Sequence, residues 1–431
     1  TMTNFMDAAK EHLLKNTFSL TENGAVGYAN TLTALTDLNF RIASYRGATA
    51  GEIESDFVKA FYECPLLAVQ YLFYASDVRG GLGERRFFRL CFKWLADTKP
   101  HYVRVLLDLV PEYSRWDNLF CLIGTDVEPE VIELLRKQLL QDIANLKTGK
   151  PISLLAKWLP SINTSSEETR ALARKLCSAF KMPAKVYRKT LSALRKKIGI
   201  VESQMSANKW KDINYEHVPS RANLKYNKAF LRQDEERRRQ FLMAVESGEK
   251  KIHGAVNFPH DIVHSMYNTN NSQERRTLEE LWKALPDYLA GSDDRIMTVV
   301  DGSGSMTYGG IGNTNIQPIE VAWALGIYFA ERLKGEFHDQ YITFSANPQY
   351  VDMRWCTTLW DKIQLSREYD DCSNTDIYKV FKMVLNTART NGMSQELMPT
   401  KILIISDMEF DHCAEFDLGM PLFKGIEEEY K

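Results

Sequence analysis

The chain lacks long apolar runs, paired cysteines and any excess of charge, and each absence removes a class of protein. No stretch approaches the roughly 18 apolar residues that cross a bilayer, and Thr1–Lys15 carries no signal-peptide pattern. The seven cysteines (Cys64, Cys91, Cys121, Cys177, Cys356, Cys372, Cys413) are scattered and never spaced as CxxC. That argues against a disulfide framework and predicts free thiols in a reducing, cytoplasmic setting. The eight histidines do not cluster, and no Ser/His/Asp order, zinc motif or P-loop appears; the sequence predicts a binding protein rather than an enzyme. Net charge is −2 over 431 residues, so bulk electrostatics favour neither nucleic acid nor a membrane. A fixed-period repeat is missing too, so any structural repeats are degenerate.

What is present divides the chain in two. At 431 residues with 44% hydrophobic content, it is long enough for two or three domains with cores of their own. Residues 1–290 follow a mostly helical period: 30–45, two packed helices within 51–74 separated near Pro65, then 85–95, 102–110, 116–123 and 131–146. Short breaks between helices of similar length predict antiparallel neighbours stacked as an α-solenoid. Further helices are expected from 234, near Pro259 and over 275–288, before a linker at 291–294. His260 and Asp261 are read as a helix start rather than a catalytic pair. From 291 to 431 the period changes. Strands at 296–300, 341–344 and 401–406 alternate with helices at 319–333 and 375–387, which predicts a parallel α/β sheet.

The near-neutral total conceals a segregation. Residues 170–232 carry sixteen Lys or Arg against three acids, a local net of +13, leaving −15 for the remainder. Tyr187, Trp210, Tyr215, Tyr226 and Phe230 are interleaved with these charges. Cations that neutralise phosphates beside rings that stack on unpaired bases fit single-stranded or looped RNA. The candidate contacts are Lys157, Arg170, Arg174, Lys185, Arg188, Lys189, Arg195, Lys196, Lys209, Lys211, Arg221, Lys225 and Lys228. The competing reading is a set of solvated helix faces with the rings in the core.

The stretch Asp301-Gly302-Ser303-Gly304-Ser305 follows the apolar strand at 296–300. An acid, two hydroxyls and two turn-forming glycines at a strand end make a cup lined with oxygen, suited to a hard cation such as Mg²⁺. Open α/β sheets place ligands at this carboxyl edge. The strand at 401–406 delivers Asp407 to the same edge, and the polar loop 371–376 opens a helix capped by Thr375 or a neighbour. In order and placement, Asp301, Ser303, Ser305, Thr375 and Asp407 resemble the metal-ion-dependent adhesion site of a von Willebrand factor A domain. The resemblance implies that Ser303, Ser305 and Thr375 bind the ion through hydroxyls. It implies that Asp301 and Asp407 act mainly through water, with one coordination position left for an acidic group of a partner. Glu409 and Asp411 lie near in sequence, and Asp376 is either a supporting group or a helix-terminal charge. A complete A domain continues for two more strands and helices beyond Asp407, so this one is expected to be truncated at its C-terminus.

A helical region followed by an A domain resembles the Ro autoantigen (TROVE) family, whose HEAT-like helices form a ring closed by the A domain and bind small noncoding RNA. It is similar, more closely, to a bacterial, viral and plant family of the same layout, through the segments 77–85, 115–119, 156–160 and 187–195, with 218–220 and 225–230. The resemblance implies an RNA scaffold or chaperone whose A domain recruits a partner through Mg²⁺, with neither DNA specificity nor a membrane role. The alternative is a metal-dependent protein adaptor, for instance of an AAA+ ATPase, without RNA. Among the individual segments, 79–85 meets phosphate or simply turns between helices. Arg115, Trp116 and Asp117 are read as structural, and Lys157-Trp158 as an RNA contact or a packed ring.

Overall fold

The computed structural model describes residues 18–20, 26–28, 31, 33–42, 44–311, 314–344, 348–370, 376–407 and 422–431. They form a helical N-terminal part followed by an α/β part. By contact the chain separates into two compact units, one of residues 32–213 and one of residues 214–431 together with the stretch up to Thr31. In that stretch β1 (Phe18–Leu20) and β2 (Val26–Tyr28) pair antiparallel. Among the described residues no helix is long and apolar enough to cross a membrane.

The 32–213 unit contains α1 (Ala34–Arg41), α2 (Ala50–Glu63), α3 (Pro65–Ser76), α4 (Arg85–Thr98), α5 (Pro100–Leu106), α6 (Val110–Tyr113), α7 (Glu128–Lys147), α8 (Leu155–Trp158), α9 (Glu167–Ala179), α10 (Ala184–Ile198) and α11 (Val201–Ser206). Local chemistry sets the boundaries. Thr49 and Glu52 form a capping box that starts α2, and Pro65 occupies the first turn of α3. The expected helix at 116–123 is instead a 3-10 run, Trp116–Leu122. After α3 the chain folds back so tightly that a Cβ at Gly81 would lie 1.8 Å from the Tyr74 carbonyl oxygen, so only glycine fits. The core is aromatic: Phe57 meets Phe87 and Trp94 edge-on at 6.1 and 5.9 Å, and Phe88 stacks on Phe92 at 4.9 Å. Burying each such ring contributes about 1.5–3 kcal/mol.

The second unit holds α12 (Ser220–Lys225), α13 (Asn227–Gln233), α14 (Glu235–Glu246), α15 (Pro259–Tyr267) and α16 (Ser272–Lys283). It continues with β3 (Ile296–Asp301), α17 (Pro318–Arg332), β4 (Gln340–Phe344), β5 (Tyr350–Asp352), α18 (Leu359–Glu368), α19 (Ile377–Asn391), β6 (Lys401–Ile405) and α20 (Leu422–Tyr430). The strand order is β5-β4-β3-β6. β3 runs parallel to β4 and β6, while β4 and β5 pair antiparallel. The sheet is therefore mixed, not wholly parallel as the sequence predicts. Too few residues separate β4 from β5 for a parallel crossover, and a tight connection can only join antiparallel strands.

Contacts inside this unit bind α15 and α16 to the sheet's helices. His264 shares its Nδ1 with both carboxylate oxygens of the buried Glu320 at 2.9 and 3.0 Å. Tyr267 meets Trp323 edge-on at 5.5 Å. Trp282 Nε1 donates to Glu331 at 2.8 Å, and Lys362 bridges Glu331 (3.0 Å) and Asp339 (2.7 Å).

Candidate metal-dependent docking site

β3 is buried along its whole length and ends on Asp301, which has no solvent exposure. The parallel register sets Val300 opposite Ile405, so the first residue past β6 stands beside Asp301. That residue is Ser406, and its hydroxyl donates to Asp301 Oδ2 at 2.6 Å. Ser303 N–H donates to Asp301 Oδ1 at 2.9 Å, closing a tight turn. The Ser303 and Ser305 hydroxyls lie 3.1 Å apart, Ser303 buried and Ser305 exposed at the start of a 3-10 turn. Asp407 follows Ser406 and is exposed.

Asp370 approaches from the end of α18. A Cβ on Gly302 would sit 3.4 Å from Asp370 Oδ1 and 3.5 Å from its Cα, ordinary contact distances that place the two segments side by side. Trp323 Nε1 on α17 donates to Asp370 Oδ1 at 3.2 Å. Neither Ser406 nor Asp370 is a sequence-level candidate. The position next to the β3 end was a usable signal for Ser406; for Asp370 no sequence signal pointed to it.

Burial pushes the Asp301 carboxyl above its ordinary value; bonds from Ser406 and Ser303 pull it back, and the charge of Asp407 pushes it up again. No Lys, Arg or His pairs with Asp301 among the described residues, so its negative charge has no protein counter-charge there. Nor do three His, Cys, Asp or Glu side chains gather anywhere among the described residues as a metal cluster. The set at this edge is of another kind: hydroxyls with flanking carboxylates, all oxygen, beside a buried unpaired acid. That donor chemistry fits a hard divalent cation. Thr375 lies outside the described residues, as do Glu409 and Asp411. Asp376 caps α19, its side chain accepting from Lys379 N–H.

The RNA candidates fall into two groups. Arg170 pairs with Glu167 and donates to the Thr164 carbonyl, and Arg174 reaches Glu167 at 2.6 Å. Arg195 is drawn inward, donating to Ala156 O, Leu159 O and Ser161 Oγ at 2.7–2.8 Å. Arg221 pairs with Asp261, Lys228 stands 3.9 Å from Glu274, and Lys225 lies 5.2 Å from the Tyr226 ring. Lys157 is half-buried, 5.2 Å from the Trp158 ring. By contrast Lys185, Arg188, Lys189 and Lys196 are exposed, and helical spacing sets them on one face of α10. Lys209 and Lys211 are exposed as well. The stacking rings are a correction: Tyr187, Tyr215 and Phe230 are buried and belong to the core. The candidates also divide between units, Lys157 to Lys211 in one and Arg221, Lys225 and Lys228 in the other.

A helical part joined to a small α/β part with an oxygen-lined strand edge is the class that fold and site define. Residues 129–292 match a family model described as a domain of unknown function (DUF2828), and residues 295–431 match another so described (DUF7788). The chain is similar to uncharacterized protein L728 of Acanthamoeba polyphaga mimivirus, 27% identical over 435 residues, covering 92% of this chain and 73% of that protein. No solved structure matches.

Proposed function

We propose that this chain is a cation-dependent docking protein whose α/β part works as a von Willebrand factor A-type domain. The observation that carries the reading is the buried, unpaired Asp301 at a strand edge, hydrogen-bonded by Ser406 and Ser303 and flanked by the Ser303 and Ser305 hydroxyls. In this reading Ser303, Ser305 and Thr375 hold Mg²⁺, Asp301 and Asp407 support it, and an acidic side chain of a partner completes the coordination. The bound ion would supply the positive charge that a carboxylate partner needs at an otherwise negative edge. A hydroxyl-rich set leaves the ion more of its charge than a carboxylate-rich one, which suits docking and not hydrolysis. The test is capture of partners from host lysate in Mg²⁺ and in EDTA. A protein retained only in Mg²⁺, and lost with Asp301→Ala, supports the reading; an identical capture profile in both buffers refutes it.

A second reading, RNA binding, rests on the exposed cationic face of α10, where Lys185, Arg188, Lys189 and Lys196 stand together. Its mode is phosphate contact, since three of the interleaved rings lie in the core. In this reading the chain is a scaffold for small RNA.

A further inference from the structure

Four sequence segments outside the docking site, 79–85, 115–119, 156–160 and 187–195, converge within the 32–213 unit. Arg85 and Arg89 stand four residues apart on α4, so their side chains share a face. Arg89 donates through Nη2 to Asp117 Oδ2 and through Nε to Asn118 Oδ1, both at 2.7 Å. Arg115 grips the same Asp117 carboxylate with Nε (2.8 Å) and Nη2. Its guanidinium lies 3.6 Å from the centroid of the Trp158 ring. The turn carrying Trp158 is fixed from α10, by Tyr187 donating to Pro160 O at 2.9 Å and by the three bonds of Arg195.

This network holds Arg115 and Arg89 by hydrogen bonds, but it leaves a charge imbalance. One carboxylate serves two guanidiniums, and Arg85 is exposed with no ion-pair or hydrogen-bond partner among the described residues. Its neighbour Glu84 is occupied by Arg46 at 2.5 Å. Although Arg85 reaches solvent, its partial desolvation, then the charges of Arg115 and Arg89, hold its guanidinium below its ordinary range, with Asp117 and Glu84 opposing. Three cations against Asp117 leave a net of +2, beside the first turn of α4, which carries no side-chain cap. A phosphate monoester carries about −1.5 to −2 at neutral pH and offers three acceptor oxygens; the unengaged guanidinium fork of Arg85 matches that geometry, with the charges of Arg89 and Arg115 beside it. An internucleotide phosphodiester carries only one charge and leaves the excess uncompensated.

We propose that Arg85, Arg89 and Arg115 form a receptor for a terminal phosphate monoester, carried by a single-stranded RNA end or by a free nucleotide. The receptor shares no residue with the docking site and stands whether or not that site takes up a cation. The test uses the full chain and one short fluorescent single-stranded RNA in three forms: with a 5′-phosphate, with a 3′-phosphate, and with hydroxyls at both ends. One phosphorylated form binds about tenfold or more tightly than the hydroxyl form. Arg85→Gln erases that difference, the two affinities becoming equal, while the unfolding temperature stays unchanged. Arg85→Lys, which keeps the charge and loses the fork, restores only part of it. Displacement of the phosphorylated RNA by AMP or inorganic phosphate at matching concentration supports the receptor and assigns it to small phosphates. Equal affinity for all three RNAs, or a phosphate preference that survives in Arg85→Gln, overturns the proposal.

Discussion

Gly326 shows how finely single residues set the architecture that carries the sheet edge at Asp301. A Cβ there would come within 2.7 Å of Val300 Cγ2, and Val300 is a stiff, buried β-branched residue one position before Asp301. Gly326→Ala is expected to lower stability by about 1–3 kcal/mol through overpacking. Adding Val300→Ala should recover part of that loss in a denaturant-unfolding cycle, a signature of direct contact. Glu279 offers a second test. Burial raises its carboxyl, and the Leu359 N–H, donating at 2.9 Å, only partly opposes this. An acid with a raised folded value contributes stability that is complete below the ordinary value and is lost as pH rises through the raised one. Glu279→Gln should therefore be more stable than the native chain at neutral pH, and the difference should disappear under acid. Denaturation curves at several pH values check both the sign and the window.

At the scale of elements, the segments that position the site are helices as much as strands. α15 reaches the start of α17 through His264 and Glu320, and α17 reaches the segment beside Gly302 through Trp323 and Asp370. His264→Ala strips a buried carboxylate of a partner and should cost about 1–3 kcal/mol, measured by chemical denaturation at neutral pH. Much of this scale was legible in the sequence. The runs at 296–300 and 401–406 are apolar and β-branched enough to identify buried strands, and the acids at their ends fall on one edge because parallel strands share a direction. β5 was not legible: Tyr350–Asp352 is only three residues long, too short for alternation to show. The packing of α15 on α17 was hidden as well, because His264 and Glu320 are 56 positions apart and no local pattern links them. The aromatic residues of 170–232 misled for a related reason. Spacing along a helix does not reveal which face is covered, and Tyr187, Tyr215 and Phe230 turned inward.

For the whole molecule, charge segregation is the feature with the widest consequence. The +13 of residues 170–232 is partly consumed by internal pairs such as those of Arg170 and Arg221, and the exposed face of α10 carries much of what remains. RNA binding by that face should weaken linearly in a log–log plot against salt, by about 0.7 per contacted phosphate for a single strand. Replacing Lys185, Lys189 and Lys196 with alanine should reduce that slope by about 2. The central claim concerns the other end of the chain, the cation at Asp301. It is tested most directly by titrating the full chain with Mn²⁺ and following the free ion by electron paramagnetic resonance, with Mg²⁺ as competitor. The account predicts a single ion per chain, displaced by Mg²⁺ and lost in Ser303→Ala and Ser305→Ala variants that remain folded. Absence of binding at millimolar Mn²⁺, or binding that survives both substitutions, would contradict it.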